Sequence, residues 1–296
     1  MLASRRSALP VAALVAVTAV WGATFVVTKG ALAHFRPLPF LAWRFVVAAG
    51  LMLLARPRSL ALLGRKGWGR GAILGLVLAG GYVFQTYGLE YTAAAVSGFI
   101  TGLTVVFVPL VTAVILRRLI GRRVWAATAL ATLGLGVITL HGLTVGEGAL
   151  LTLGCAACYG IQLVLLGEWV GEHDSYGLAV VELLTVAVIC LVAAAPGGLS
   201  VPHRSRVILA VLYTAVAATG VAFVVQSWAQ TRISATRVGV IFTLEPVFAA
   251  VFAVAAGEHL TARLVLGGLL VLAAMYVIEL APGARPVAPE HGVGTG

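Results

Sequence analysis

The sequence predicts an all-α integral membrane protein with ten transmembrane helices, arranged as two inverted five-helix repeats. Three observations predict this fold class: a composition unsuited to water, ten apolar segments of membrane-spanning length, and an internal repeat. Of the 296 residues, 61% are hydrophobic and 10% are charged, and the mean hydropathy is +1.06. Soluble domains carry about 25% charged residues, so a lipid bilayer is the solvent that suits this chain.

Ten segments approach the roughly 20 apolar residues that a helix needs to cross a bilayer. The connections between them are short and leave no room for a soluble domain that would hold a nucleotide or a catalytic centre. Residues 282–296 are rich in Pro and Gly, and we expect them to form a disordered cytoplasmic tail. The expected spans are 9–31, 38–55, 71–89, 93–116, 124–143, 148–168, 175–196, 206–228, 235–256 and 262–281.

The apolar segments of the first half recur in the second half. Three features reappear in the same order, each separated from its first copy by nearly the same number of residues. This pattern indicates a duplication into residues 1–143 and 144–281. Because each half holds an odd number of spans, the second half begins on the opposite side of the membrane, and a binding site is expected near mid-depth between the halves. The matched features are Trp21-Gly22 with Tyr159-Gly160, Gln85 with Gln226, and Pro109 with Pro246.

The positions of the basic residues predict the orientation in the membrane. With a cytoplasmic N-terminus, fourteen of the twenty Lys and Arg residues fall on cytoplasmic ends of spans and four on outer ends, a bias that comes mostly from the first half. This is the positive-inside pattern, so we expect a multi-pass protein of the plasma (inner) membrane with both termini in the cytoplasm. The net charge of +10 therefore reflects membrane topology, and no nucleic-acid partner is expected.

Several short motifs occur in order along the chain: Trp21-Gly22-Ala23-Thr24-Phe25, Arg44-Phe45, Tyr91-Thr92-Ala93, Phe99-Ile100-Thr101-Gly102-Leu103, Phe107-Val108-Pro109-Leu110, Leu244-Glu245-Pro246-Val247 and Gly257-Glu258-His259-Leu260-Thr261. Their order resembles the EamA-type branch of the drug/metabolite transporter superfamily, over about residues 9–281. The resemblance implies two EamA-like repeats and a protein that exports amino acids or other small metabolites. The chain departs from the family at Gly121-Arg122, where Gly-Glu is frequent, and in an acidic loop after the sixth span, where basic residues are frequent.

Charged residues within the expected spans are candidates for function, because charge in hydrocarbon is costly. Glu245 lies near the middle of the ninth span beside Pro246, and it is expected to carry a proton, to bind a cationic substrate group, or to fix helix packing. Arg44 lies near the middle of the second span. Glu182 is its counterpart in the second half, because it lies as many residues after Arg44 as Tyr159 lies after Trp21. These two charged side chains either pair or face opposite ends of one pathway, and Arg44 anchors either the structure or an anionic substrate group.

Lys29 is the other basic residue within a span. It lies near the outer surface, where snorkelling of its long side chain explains its position.

Aromatic and amide side chains near the middle of the spans predict a small-molecule site. Such sites are mostly apolar, with a few polar groups that fix the orientation of the ligand. Hydrogen bonding between helices is the alternative use of the same amides. Inverted halves are expected to bring these residues toward a common axis if the family's arrangement applies. The expected substrate-binding residues are Trp21, Thr24, Tyr82, Gln85, Tyr159, Gln162, Gln226, Trp228 and Glu245.

No signature of an enzyme occurs in the sequence, which lacks a phosphate-binding loop, His-Glu-x-x-His and Gly-x-Ser-x-Gly. Cys155 and Cys158 have the spacing for one edge of a metal site, but no further ligand accompanies them at depth, so neither metal nor cofactor is expected. Together with the resemblance to EamA-type transporters, this predicts a secondary transporter of the inner membrane that exports a small metabolite, such as an amino acid, by alternating access. The alternatives are a flippase for a lipid-linked intermediate and a membrane scaffold without transport. Proton coupling and a homodimer remain open.

Overall fold

The computed structural model describes residues 2–115, 117, 121–141, 144–230 and 241–279. The fold within these ranges is helical, apart from one antiparallel pair of two-residue strands between the halves, β1 (Leu140–His141) and β2 (Thr144–Val145). The tail expected to be disordered, 282–296, lies outside the described residues, as do residues 235–240 of the expected ninth span.

Six helices in the first half cover the five expected spans. The helix in the expected fourth span is interrupted at Leu103, whose amide N–H bonds back to the carbonyl of Ile100, and Pro109 lies inside the helix that follows. Pro37 occupies the first turn of the second helix, where a missing N–H costs nothing. The helices are α1 (Leu2–Leu32), α2 (Pro37–Ala55), α3 (Gly64–Tyr91), α4 (Ala94–Gly102), α5 (Thr104–Ile115) and α6 (Arg122–Thr139).

The second half has a similar order of elements but a different local geometry. Asp174 caps the second of its helices by accepting a hydrogen bond from the backbone N–H of Gly177 at 2.8 Å. The eighth expected span contains a π-helical segment, Tyr213–Val221, between two α-helices. The helices are α7 (Glu147–Trp169), α8 (Ser175–Ala194), α9 (Ser205–Leu212), α10 (Ala222–Gln230), α11 (Glu245–Ala255) and α12 (Ala262–Glu279).

The helical segments have the length and composition of membrane spans, as expected for a multi-span membrane protein. Within the described ranges, six helical stretches are long and apolar enough to cross a bilayer, and shorter apolar helices cover 205–221, 245–255 and 262–277. The number of ten spans stays a prediction. The six long stretches are Leu9–Leu32, Pro37–Ala55, Gly64–Tyr91, Ala94–Ile115, Glu147–Glu172 and Ser175–Gly197.

The two halves pack into each other and do not form separate bundles. Helix α3 packs along α7 and α8, α2 packs along α8, α1 and α4 pack along α11, and α6 packs along α12. Glycines permit two of these close approaches. A Cβ atom at Gly75 of α3 would lie 2.6 Å from the carbonyl oxygen of Glu182, and one at Gly134 of α6 would lie 2.8 Å from that of Gly267. These contacts bring residues from both halves together at mid-span.

A clasp formed by Lys29, Glu258 and the start of α4 joins the halves at the membrane face where α1 ends. The Glu258 carboxylate accepts hydrogen bonds from the backbone N–H groups of Ala94 at 2.9 Å and Ala95 at 3.2 Å, so it caps α4. The Lys29 ammonium lies 3.7 Å from the same carboxylate and donates to the carbonyl of Thr92. Lys29 therefore has specific partners in the second half as well as in its own.

Candidate functional site

Three aromatic rings and one arginine form the centre of the candidate site, which we call the Tyr82 cluster (Arg44, Phe45, Tyr82 and Tyr159). The Tyr82 ring packs edge-on against Phe45, with centroids 4.7 Å apart, and against Tyr159 at 5.5 Å. The Arg44 guanidinium carbon lies 4.6 Å from the centroid of the Tyr82 ring, and its Nη2 donates a hydrogen bond of 3.4 Å to the Tyr82 hydroxyl. Tyr82 and Tyr159 come from different halves, so the cluster lies where the halves meet.

The Tyr159 ring reaches Tyr82 because a glycine faces it. A Cβ atom at Gly81 would clash with the Tyr159 ring, and one at Gly160 would lie 2.8 Å from the Cβ of Phe107. The absence of side chains at these positions lets α7 approach α3 and α5 closely. Close helix packing thus explains the glycine of Tyr159-Gly160, the second-half copy of the repeated pair.

A buried acid–amide pair lies beside the Tyr82 cluster. Gln162 of α7 donates a hydrogen bond of 2.7 Å from Nε2 to the carboxylate of Glu182 on α8, and both side chains are buried. Arg44 and Glu182 do not form an ion pair, although both lie near enough to Tyr82 to affect it electrostatically. Of the two arrangements that the sequence leaves open, direct pairing is therefore not the one observed.

Glu245 stands at the first position of α11, just after the turn at Thr243 and Leu244. Its side chain is half-buried and makes no hydrogen bond or ion pair with any side chain in the described ranges, yet its charge reaches Tyr82 and Cys155. Pro246 follows it in the first turn, where proline is tolerated. This carboxyl group, which has no side-chain partner among the described residues, thus lies at a point where the helix is interrupted, as in the sites of transporters with discontinuous helices.

Trp21 is held by the π-helical segment of the second half. Its indole Nε1 donates a hydrogen bond of 2.8 Å to the carbonyl of Ala218, and its ring packs edge-on against Phe242 at 5.2 Å. The Tyr213 hydroxyl donates to the carbonyl of Val20 at 2.9 Å, which adds a second bond between α1 and this segment. The wide turn of a π-helix leaves carbonyls without their usual partners, and such segments occur frequently at functional sites.

The remaining predicted residues are divided between the interior and a separate cluster. Gln85 donates a hydrogen bond of 3.3 Å to the Thr101 hydroxyl on α4, and Thr24 donates to the carbonyl of Trp21 in its own helix at 2.6 Å. Trp228 packs with Leu14 and its neighbours, about 10 Å along α1 from Trp21 at 1.5 Å per residue. Gln226 is half-buried on α10.

The sequence indicated some of the site's residues but not their partners. Arg44 and Glu182 were recognisable as charges at depth, yet only the structure shows that Arg44 lies on Tyr82 and that Gln162 bonds to Glu182. The bond from Trp21 to a carbonyl of the π-helical segment had no sequence signal. Among the described residues, no three His, Cys, Asp or Glu side chains gather in the manner of metal ligands.

The helical fold, the interrupted helices and the interior polar groups are typical of multi-span membrane transporters. The sequence model of the EamA-like transporter family matches this chain twice, over residues 8–140 and again over residues 146–280. The chain belongs to the EamA-like transporter family, within the drug/metabolite transporter superfamily.

Known relatives agree with this assignment. An "Uncharacterized transporter" from Archaeoglobus fulgidus is 31% identical over 271 residues, which cover 90% of this chain and 84% of the relative. A second "Uncharacterized transporter" from the same organism is 24% identical over 270 residues, covering 87% of this chain and 93% of the relative. A solved protein crystal structure resembles the fold with a TM-score of 0.64 at 17% identity, over 89% of this chain and 94% of that one.

Proposed function

We propose that the protein is a secondary transporter of the inner membrane that exports a small organic metabolite, such as an amino acid, by alternating access. The observation that carries this proposal is the Tyr82 cluster, in which side chains from both halves meet beside the Gln162–Glu182 pair. A ligand bound there would contact both halves at once, so a movement of one half against the other would change its access. The transport path would then run between the halves.

The proposal includes ten spans arranged as two inverted repeats of five. The paired packing of α3 with α7 and α8, and of α1 and α4 with α11, supports a site between the repeats. In this arrangement Trp228 would contribute at the end of the path near Leu14, and not at its centre. The other residues of the substrate path are Trp21, Thr24, Tyr82, Gln85, Tyr159, Gln162, Gln226 and Glu245.

The clasp at Glu258 supports two unequal gates. Glu258 caps α4 and lies beside Lys29, while the repeat matches Gly257-Glu258 with Gly121-Arg122 in the first half. An arginine does not accept hydrogen bonds, so Arg122 would not take the place of Glu258 in such a clasp. We infer that opening the face with the clasp requires the loss of three polar contacts.

Topology is the first testable consequence. We expect single cysteines in place of Ser4 and Glu290 to react only from the cytoplasm. A cysteine in place of Glu147 should react from outside, because the five spans of the first half lie between it and the cytoplasmic N-terminus. Labelling of intact and permeabilised cells with a membrane-impermeant maleimide measures this, with Cys155, Cys158 and Cys190 replaced by Ala or Ser as the background. Cytoplasmic labelling at Glu147 would contradict the inverted arrangement.

The function itself is tested by comparing metabolites inside and outside cells that lack or overproduce the protein. We expect overproduction to raise one small class of compounds outside the cells, and we expect Gln85→Leu and Gln226→Leu to reduce that export. Each replacement removes a side chain whose hydrogen bond would stabilise a bound polar group by about 1–3 kcal/mol. Leucine is well tolerated inside a membrane, so the variants should still insert.

Membrane abundance of both variants should equal that of the unmodified protein. Gln230→Leu, at the end of α10 and of the same chemistry, serves as the matched control in the second half. Unchanged export by both site variants, with the compound identified, would remove Gln85 and Gln226 from the path. The absence of any exported compound would count against the transporter proposal as a whole.

A further inference from the structure

Arg44 is a buried cation whose hydrogen-bonding capacity is largely unused. The residue is 5% exposed, and its Nε is buried without a hydrogen-bond partner. The only hydrogen bond that it makes to a described residue is the 3.4 Å bond to the Tyr82 hydroxyl, at the long end of the accepted range. A guanidinium has five N–H donors in a planar fork and stays charged at any physiological pH.

Among the described residues, no acidic side chain forms an ion pair with Arg44. The aromatic faces of Tyr82 and Phe45, 4.6 and 5.3 Å from the guanidinium carbon, stabilise a cation but accept none of its in-plane hydrogen bonds. The nearest acid on the adjacent helix, Glu182, is bonded to Gln162 instead. Leaving a charged donor buried and unpaired is costly. The described residues supply no acceptor for the Arg44 Nε, so the arrangement favours a further acceptor, which a bound ligand can supply.

We propose that Arg44 binds the carboxylate of the transported substrate, so that the substrates are small organic acids or zwitterions. This inference rests on the proposed function and assigns one substrate group to one residue of its site. The planar fork of an arginine matches a carboxylate in a bidentate geometry. The rings of Phe45, Tyr82 and Tyr159 then provide an apolar wall for the rest of the molecule.

The charges around the site favour a monoanion over a phosphate. Within the described ranges, Arg44 is the only cationic side chain that is buried, and Lys29 is already engaged by Glu258. One carboxylate therefore suits the site, and a dianion does not.

The two halves differ at this site, and the difference favours one orientation of the bound substrate. Position 182, which the repeat matches with position 44, carries the opposite charge. The anionic end of a substrate thus has a partner in the first half and none at the matching place in the second. A substrate would enter and leave with a preferred orientation between the halves.

The test compares each carboxylic acid with its primary amide, using the purified full-length protein in lipid nanodiscs. Three pairs serve as probes: 3-phenylpropionate and 3-phenylpropanamide, L-phenylalanine and L-phenylalaninamide, and L-leucine and L-leucinamide. Binding is measured by calorimetry and by the shift in unfolding temperature. We expect at least one acid to bind more tightly than its amide, by about 10- to 100-fold, since hydrogen bonds to charged groups contribute at this level.

Variants of Arg44 decide whether that preference comes from the guanidinium. Arg44→Gln should abolish the preference for acid over amide, and Arg44→Lys should retain charge but lose the bidentate fork, lowering the preference without removing it. Arg58→Gln, at an exposed arginine in the 3-10 helix Pro57–Leu62 after α2, should leave it unchanged. If Arg44→Gln does not fold, the reduced preference of Arg44→Lys carries the test alone, because a purely structural role of position 44 would weaken acid and amide binding equally.

Three results would overturn the inference. Equal binding of acid and amide in all three pairs by the unmodified protein is the first, and full retention of the preference in both Arg44 variants is the second. The third is an exported metabolite without any anionic group, which would leave the transporter proposal standing while removing Arg44 as a carboxylate site. Failure of all export together with a clear carboxylate preference would instead reject the proposed function alone.

Discussion

Gly22→Leu is expected to prevent the accumulation of folded protein in the membrane. A Cβ atom at position 22 would lie 2.6 Å from the Cβ of Phe248, 2.8 Å from the backbone nitrogen of Ala249 and 3.0 Å from the carbonyl oxygen of Glu245. Two of these neighbours are backbone atoms of α11, which move only if the whole helix moves. Overpacking of this kind costs about 1–3 kcal/mol or more, a large part of the stability of a typical domain.

The same helix supplies a matched control for this substitution. Gly30 of α1 has no atom within 4 Å of the place where its Cβ would lie, so Gly30→Leu should insert and accumulate normally. Membrane abundance and the unfolding temperature in detergent measure both variants. Equal abundance and stability of the two would show that α1 and α11 do not approach each other as closely as the structure has them.

The positions of the spans were predictable because they follow from local composition. The bilayer requires long apolar segments, and each expected span outside the undescribed ranges contains helix. The interior of each span was less predictable. Pro109 is the residue with a reason to break the fourth span, yet it lies inside α5, and the interruption falls at Leu103 instead. Packing against neighbouring helices decides such details, and no single segment carries that information.

Helix pairing limited what the sequence showed about the candidate site. The sequence shows Arg44 and Glu182 as charged residues within the spans. Their partners, Tyr82 and Gln162, depend on which helices lie side by side. The π-helical segment Tyr213–Val221 was not predictable either, because its residues are ordinary helix formers and small residues.

Lys29 illustrates the same limit at the surface. Its position near the end of a span suggested snorkelling, yet its specific contact is with Glu258, from the far end of the second half. Local sequence shows that a long basic side chain can reach the interface, but the acid that meets it there is set by the packing of the halves.

Glu245→Gln is expected to abolish the acceleration of transport by an imposed proton gradient. The Glu245 carboxyl is half-buried, has no hydrogen-bond or ion-pair partner among the described residues, and lies within electrostatic reach of Tyr82 at the meeting point of the halves. An ionisable group of this kind inside a membrane is suited to carrying a proton. Glutamine keeps the size and polarity of the side chain but does not titrate, so exchange of substrate should continue while coupling is lost.

Vesicles that contain the purified protein separate coupling from binding. A gradient of one pH unit is worth about 1.4 kcal/mol per proton, or about tenfold in substrate concentration across the membrane. We expect the unmodified protein to convert this gradient into substrate accumulation and Glu245→Gln to equilibrate substrate without accumulation. Glu90 is an exposed acid at the end of α3, so Glu90→Gln serves as the control and should behave like the unmodified protein. If an imposed gradient does not change transport by the unmodified protein, Glu245 is not a proton carrier, and its carboxyl group then serves either to bind a cationic group of the substrate or to fix helix packing.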